Sequence, residues 1–103
     1  MDDILTAKKI LDSGYSVVLC YNGMVLTNKK SEEVALSEFI ESKLDFSNFT
    51  IALKEINSHI SCLIVQLNVK SIVTYKLSDI AKEELEKNGI KCNYKDLINE
   101  LEN

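Results

Sequence analysis

The pattern of apolar and polar residues in the first quarter of the chain predicts a helix followed by a β-hairpin. Over residues 2–12 the apolar side chains recur near helical spacing, and Asp2 occupies the N-cap position. The segment 15–21 is rich in β-branched and aromatic residues and is apolar on both faces, which is typical of a central strand. Asn22-Gly23 is a strong hairpin signal, so residues 24–27 are predicted to return antiparallel.

The middle of the chain is predicted to be mainly helical. Ser31 precedes two glutamates and a rough apolar stripe, which predicts an N-capped helix over residues 32–43. Residues 49–52 are predicted to form only a short extended piece. Over residues 53–68 the apolar side chains recur at helical spacing, with further apolar residues on the flank. This breadth predicts a long central helix that is buried on more than one side.

The last third of the chain alternates between strand and helix. Residues 69–77 are predicted as a strand, and Ser78-Asp79 as the cap of a helix over residues 79–88. A short strand at 90–94 and a closing helix at 95–102 follow. A strand–helix–strand run implies a parallel crossover, whereas the N-terminal hairpin is antiparallel. The prediction is therefore one three-layer α/β domain covering all 103 residues, with a mixed sheet and helices on both faces.

The charge distribution argues against nucleic-acid and membrane partners. The chain has a formal net charge of -4 and no arginine. It therefore lacks the bidentate guanidinium contacts that read base edges, and its charge does not favour the basic groove that binds single strands. No stretch approaches the roughly 20 apolar residues of a membrane span. The start of the chain, Met1-Asp2-Asp3, is acidic and lacks the features of a secretory signal, so we expect a cytoplasmic protein.

The three cysteines, Cys20, Cys62 and Cys92, lie far apart and are odd in number. This pattern favours reduced thiols that fill space in the core over a disulfide framework. A redox-sensing thiol is the less favoured alternative, because no CxxC motif and no flanking pair of cations marks one.

Short motifs accompany this order of elements: Gly14-Tyr15-Ser16-Val17-Val18 at the first strand, Asn22-Gly23 in the hairpin, and Asn88-Gly89-Ile90 with Tyr94 near the end. Together they resemble a bacterial domain family of unknown function with a zinc-free cytidine-deaminase-like fold. The resemblance covers nearly the whole chain and implies this fold for it.

Members of that family typically carry an Ala-Asp-Lys-x-x-Gly-Lys-Ala stretch at the start of the central helix. The matching stretch here is Ala52-Leu53-Lys54-Glu55-Ile56-Asn57-Ser58-His59, in which only Ala52 and Lys54 agree. The chain therefore resembles a divergent member. If the motif binds a ligand in the family, the resemblance implies that this chain binds it differently or has lost it.

The residue types argue against deaminase chemistry. A zinc deaminase needs a histidine or cysteine ligand and a glutamate in H-x-E or C-x-E spacing, together with a P-C-x-x-C segment. This chain has no proline, one histidine and no CxxC. We therefore expect no zinc-dependent deamination, no metal and no cofactor, and the sequence weighs against an enzyme.

His59 is the only imidazole of the chain, and at three residues from Cys62 it is a candidate general base or member of a Cys-His dyad. The more common role of such a histidine is a partly buried side chain bonded to a carbonyl or to water. We favour that role, because no third group is evident to orient the dyad.

Ligands of open α/β sheets collect beyond the carboxyl ends of parallel strands, beside helix N-termini. This geometry selects candidate ligand-binding residues after the later strand and near the start of the central helix: Tyr75, Lys76, Ser78 and Asp79 in the first group, and Lys54, Asn57 and Ser58 in the second. His59, the next residue of that helix, is a further candidate. Lys54 is the best candidate for an anion contact, whereas Ser78 and Asp79 are explained more readily as helix caps.

Two functions follow as hypotheses. The first is a non-catalytic small-ligand-binding or regulatory module, whose ligand is a small anion such as a nucleotide. The alternative is a domain without a small-molecule site that binds another protein or associates with copies of itself to form a homo-oligomer. The alternative is motivated by Tyr21 and Met24, which flank the hairpin turn and are expected to be exposed.

Overall fold

The computed structural model describes residues 2–102, so Met1, where the acidic N-terminal stretch begins, lies outside the described residues. The α-helices in this range are α1 (Asp3–Leu11), α2 (Glu32–Glu41), α3 (Ser58–Leu67) and α4 (Asp79–Lys87). The strands are β1 (Val17–Tyr21), β2 (Met24–Asn28), β3 (Thr50–Ile56), β4 (Ser71–Ser78) and β5 (Lys91–Ile98), and a 3-10 turn follows at Glu100–Glu102. Within residues 2–102 no helix has the length and apolar character needed to span a membrane.

The strands form one mixed sheet in the order β2-β1-β3-β4-β5. Strand β1 runs antiparallel to both β2 and β3, whereas β3, β4 and β5 run parallel to one another. Alternate residues of β1 enter different cores: Val17 and Leu19 pack beneath α2, α3 and α4, and Val18 and Cys20 pack beneath α1. The predicted three-layer α/β fold with a mixed sheet is confirmed.

The hairpin forms at the predicted place. Asn22 and Gly23 have φ angles of 48° and 87°, and Tyr21 lies opposite Met24. Two consecutive residues with positive φ match the right-handed twist of the strands, and glycine and asparagine tolerate this conformation best. The local sequence therefore determines this turn.

The predicted helix over residues 53–68 is wrong in its first part. Residues Thr50–Ile56 form β3, and the helix begins only at Ser58, after the N-cap Asn57. Strand β3 lies between β1 and β4, so both of its faces are buried, with Leu53 in one core and Ala52 in the other. A strand buried on both faces is a continuous apolar run, which spacing alone does not separate from a buried helix.

The predicted closing helix over residues 95–102 is also wrong. Strand β5 continues to Ile98, because it pairs with β4 as far as Ser78, and only the 3-10 turn follows. Most side chains of this edge strand are exposed, so its sequence carries little of the apolar alternation that marks a strand.

The antiparallel strand β1 brings distant loops to one edge of the sheet. The carboxyl ends of β2, β3, β4 and β5 and the amino end of β1 all lie there. Helices α2, α3 and α4 begin there too, since each follows a strand that ends at this edge. We call it the site edge.

Candidate functional site

Side chains cap the three helices that begin at the site edge. The caps are Ser31 on α2, Asn57 on α3 and Ser78 on α4, and each accepts a hydrogen bond from a backbone N–H of the first turn. Each helix start has further N–H groups without partners inside the helix. Their partial positive charge favours anionic groups at this edge of the sheet.

A cavity of about 190 Å³ opens between the start of β1, the β2–α2 connection and β3. We call it the lysine cavity, and its lining consists of Gly14, Tyr15, Ser16, Lys29, Glu32 and Lys54. Lys29 Nζ lies 5.0 Å from the centre of the Tyr15 ring, in a cation–π contact. The cavity thus joins the first motif of the sequence to Lys54, the side chain selected as the best anion contact.

Glu32 contributes a carboxyl group with unusual surroundings to the lysine cavity. Its Oε2 atom is buried and has no hydrogen-bond partner among residues 2–102. Burial raises the pKa of Glu32, the charge of Glu55 raises this pKa further, and Lys54 opposes both. With two ammonium groups against this one carboxyl, the lining carries a net positive charge.

A second cavity, of about 160 Å³, lies at the ends of β3, β4 and β5. We call it the serine cavity, and its lining consists of Glu55, Ile56, Asn57, Lys76, Ser78, Ile98 and Glu100. Because Lys54 and Glu55 are neighbours in β3, the two cavities flank the end of the same strand. Both cavities therefore border the site edge, with separate linings.

Glu100 lines the serine cavity, although no sequence pattern predicted it as a site residue. Its carboxylate accepts hydrogen bonds from Ser58 N–H at 2.9 Å and from Ser58 Oγ at 2.6 Å, and its own N–H donates to Asp79 Oδ1 at 3.1 Å. Hydrogen bonds from Ser58 and Ser78 lower the pKa of Glu100. No sequence signal points to it, because a glutamate in a predicted helix is indistinguishable from a solvent-facing acid.

The structure divides most of the predicted site residues between the two cavities. Lys54 lines the lysine cavity, whereas Asn57 and Ser78 line the serine cavity. Ser58 and Asp79 hold the turn that closes the serine cavity. These residues therefore lie at one edge of the sheet but not around one opening.

His59 lies outside both cavities. Its Nε2 atom is 3.4 Å from Oε1 of Glu33, and the two side chains are 65% and 64% exposed. The expectation of a partly buried histidine bonded to a carbonyl or to water is therefore wrong. His59 instead points along the outer surface, from α3 towards α2.

The thiols differ in their burial. Cys20 is buried beneath α1, and Cys92 is half-buried, which raises the pKa of Cys92 to about 11. Cys62 is exposed on α3, so the expectation of a core thiol is wrong at this position. None of the three lines either cavity at the site edge.

The helix starts at the site edge do not fit a zinc ion of the deaminase type. Such a site uses thiolates and imidazoles, whereas Asn57, Ser58, Ser78, Asp79 and Glu100 supply an amide, hydroxyls and carboxylates. Among residues 2–102 no three His, Cys, Asp or Glu side chains are grouped so as to hold a metal ion.

A further cavity, of about 350 Å³, lies on the face covered by α1. It runs between α1 and β5, and Lys8 Nζ lies 5.3 Å from the centre of the Tyr75 ring at its side. No residue of the two cavities at the site edge contributes to its lining. Its lining also carries two ammonium groups, on Lys8 and Lys95, so positive charge is not confined to the site edge.

The order of the strands and the layers of helices define a three-layer α/β fold, and two solved structures show that this fold is cytidine-deaminase-like. The solved structure of a dCMP deaminase from the cyanophage S-TIM5 is similar, with a TM-score of 0.63 and 16% identity over 89% of this chain and 93% of that one. A DUF1893 family protein from Thermotoga maritima is also similar, with a TM-score of 0.80 and 16% identity over 95% of this chain and 68% of that one.

At this level of identity the two likenesses show the fold alone. They confirm, at the level of the fold, the resemblance to a family of unknown function with a deaminase-like architecture. No family model matches the sequence, and no curated protein matches it.

Proposed function

We propose that this chain is a non-catalytic small-ligand-binding or regulatory module of the cytoplasm, and that it binds a small anion of the nucleotide class at the site edge. One observation carries the proposal: Lys29 and Lys54 reach the same cavity from separate elements. Neither ammonium group has a carboxylate within ion-pair distance among residues 2–102. An anionic ligand supplies the missing partner to both.

Tyr15 supports a ligand that carries a planar group as well as a charge. Its half-buried ring lines the lysine cavity beside Lys29. Aromatic side chains are surfaces on which nucleobases stack, and this interaction tolerates every base. A nucleotide would meet the ammonium groups with its phosphate and the aromatic ring with its base.

The placement of the reactive side chains supports binding rather than turnover. Histidine and cysteine are the side chains that most often act as general base and nucleophile. His59 and the three thiols all lie outside the two cavities at the site edge. A ligand held at this edge therefore meets charge and hydrogen-bond donors but no such group.

Thermal unfolding of the protein with a panel of nucleotides, nucleosides and inorganic phosphate tests the proposal. A ligand present at 100 times its Kd stabilises the native state by about 2.7 kcal/mol. A domain of this size shifts by roughly 4–8 °C for each kcal/mol. We expect nucleotides to raise the melting temperature more than nucleosides, since only nucleotides carry the phosphate.

The variant Lys54→Ala localises the binding. Loss of one charge-assisted contact should weaken binding by roughly tenfold, equivalent to about 1.4 kcal/mol. Lys70→Ala is the matched control, because Lys70 is exposed at the opposite edge of the sheet, just before β4. If no compound shifts the melting temperature, or if the two variants respond alike, the proposal is wrong.

Self-association is a second candidate function, and the apolar surface at the tip of the hairpin favours it. Tyr21 and Met24 are 40% and 56% exposed, so the expectation that they are exposed is confirmed. Together with Leu44, which is 62% exposed, they border a cavity of about 280 Å³. Apolar patches of this kind mark interaction surfaces, and the mass of the protein in solution tests this alternative.

A further inference from the structure

We propose that the turn Glu100–Glu102 is an autoinhibitory strap, in which the carboxylate of Glu100 holds the place of a ligand's anionic group in the serine cavity. This inference rests on the proposed function, because it assigns regulation to the same site edge. Binding there is then a competition between an internal and an external anion.

The strap contacts the starts of two helices at once. At α3, the carboxylate of Glu100 accepts hydrogen bonds from the N–H and the hydroxyl of Ser58, at 2.9 and 2.6 Å. At α4, the N–H of Glu100 donates to Asp79 Oδ1 at 3.1 Å. N–H and O–H donors at a helix start are the groups that recognise a phosphate oxygen.

The described contacts between the strap and the helix starts are hydrogen bonds of Glu100. Ile98 is the last residue of β5 that pairs with β4, and beyond it Leu101 is 83% exposed. Glu100 itself is only half-buried. Polar contacts at a partly exposed site exchange with water at little net cost, so the strap can open while the sheet stays intact.

The strap also sets the charge of the serine cavity. When it is closed, the lining carries one ammonium group, on Lys76, and two carboxylates, on Glu55 and Glu100. When it opens, one carboxylate leaves, and the donors of Ser58 become accessible. The charge of the closed lining therefore repels an incoming anion, whereas the open lining is neutral and offers the donors of Ser58.

Binding of inorganic phosphate and of a nucleoside monophosphate to the 103-residue chain tests the strap. Glu100→Gln removes the charge and keeps the shape, and Glu100→Ala removes the side chain. Glu41→Gln is the matched control, because it removes the same charge from an exposed residue at the far end of α2. Calorimetry measures the affinities, and the amide resonance of Ser58 reports where each ligand binds.

We expect both Glu100 variants to bind the two ligands about tenfold more tightly than the wild type, and the control variant to bind like the wild type. The reason is that apparent affinity falls in proportion to the fraction of molecules that are open. The Ser58 amide should respond to phosphate in the Glu100 variants at lower concentrations than in the wild type.

Other outcomes separate the strap from the proposed function. Equal affinities for wild type and Glu100 variants, with weaker binding by Lys54→Ala, overturn the strap and leave the proposed function standing. Absence of binding by every variant overturns the proposed function and the strap with it. If Glu100→Gln loses the dispersed amide spectrum of a folded protein, Glu100 is a structural tie and the strap is overturned.

Discussion

At the scale of single residues, two carboxyl groups at the site edge are shifted in opposite directions. The pKa of Glu32 is raised by burial, whereas the pKa of Glu100 is lowered by the hydrogen bonds of Ser58 and Ser78. The protein therefore favours the charged form of Glu100 and disfavours that of Glu32. As the pH falls, the carboxylate of Glu32 therefore becomes protonated before that of Glu100, although both lie at the site edge.

The lowered pKa of Glu100 predicts that its contacts persist at neutral pH and are lost in acid. Because the folded state favours the ionised carboxylate, the stabilisation is present above the ordinary pKa of 4.5 and is lost as the pH falls through the lower folded-state value. A pH titration of the Ser58 amide by NMR should show a transition below pH 4.5. The same transition in Glu100→Gln would contradict this assignment.

At the scale of elements, β3 and α3 show how burial determines the structure of an apolar segment. Ile51 and Leu53 enter one core and Ala52 enters the other, so β3 contributes to both layers between the sheet and the helices. Asn57 then caps α3, and its side chain accepts the Ile60 N–H at 2.9 Å. The change from strand to helix therefore occurs at a polar residue that terminates the buried run.

Leu53→Ala tests the assignment of β3 as a central strand. Leu53 is fully buried, so truncation should lower the free energy of unfolding by about 2–5 kcal/mol through lost burial and a residual cavity. Lys54→Ala, at the exposed next position, should change it by less than about 0.5 kcal/mol. Urea denaturation of the two variants measures the difference, and equal midpoints would argue against a buried strand.

At the scale of the whole molecule, the apolar surface at the hairpin tip bears on the oligomeric state. Strand β2 is an edge strand, and the exposed side chains of Tyr21 and Met24 lie where it begins. A second copy of the chain is the occupant that would cover this patch in the self-association hypothesis. The hypothesis makes the hairpin tip, rather than the site edge, the contact between copies.

Light scattering of Met24→Lys tests the self-association hypothesis. If the patch joins two copies, the wild type should scatter as a dimer and Met24→Lys as a monomer, because a buried unpaired charge opposes association. Thr27→Lys, which adds the same charge at an exposed position of β2, should remain a dimer. A monomeric wild type at high concentration would exclude this patch as a dimer interface.

The sequence by itself determined the features that depend on a few neighbouring residues. Asn22 and Gly23 tolerate positive φ, so the hairpin follows from local chemistry. Asp2, Ser31 and Ser78 cap the helices that they were predicted to begin, because their side chains reach N–H groups only two or three residues away. The sequence also lacks the H-x-E or C-x-E and P-C-x-x-C spacings that are typical of zinc deaminases.

Only the tertiary structure decided which segments meet. Strand β3 is buried on both faces because it lies between β1 and β4. Its apolar residues therefore form a strand, although their spacing along the sequence also fits a helix. Lys29 and Lys54 reach one cavity because β1 is antiparallel to both β2 and β3. Glu100 finds Ser58 across 42 residues, a contact that local periodicity does not encode. The candidate site is therefore a product of strand order, which depends on packing between distant parts of the chain.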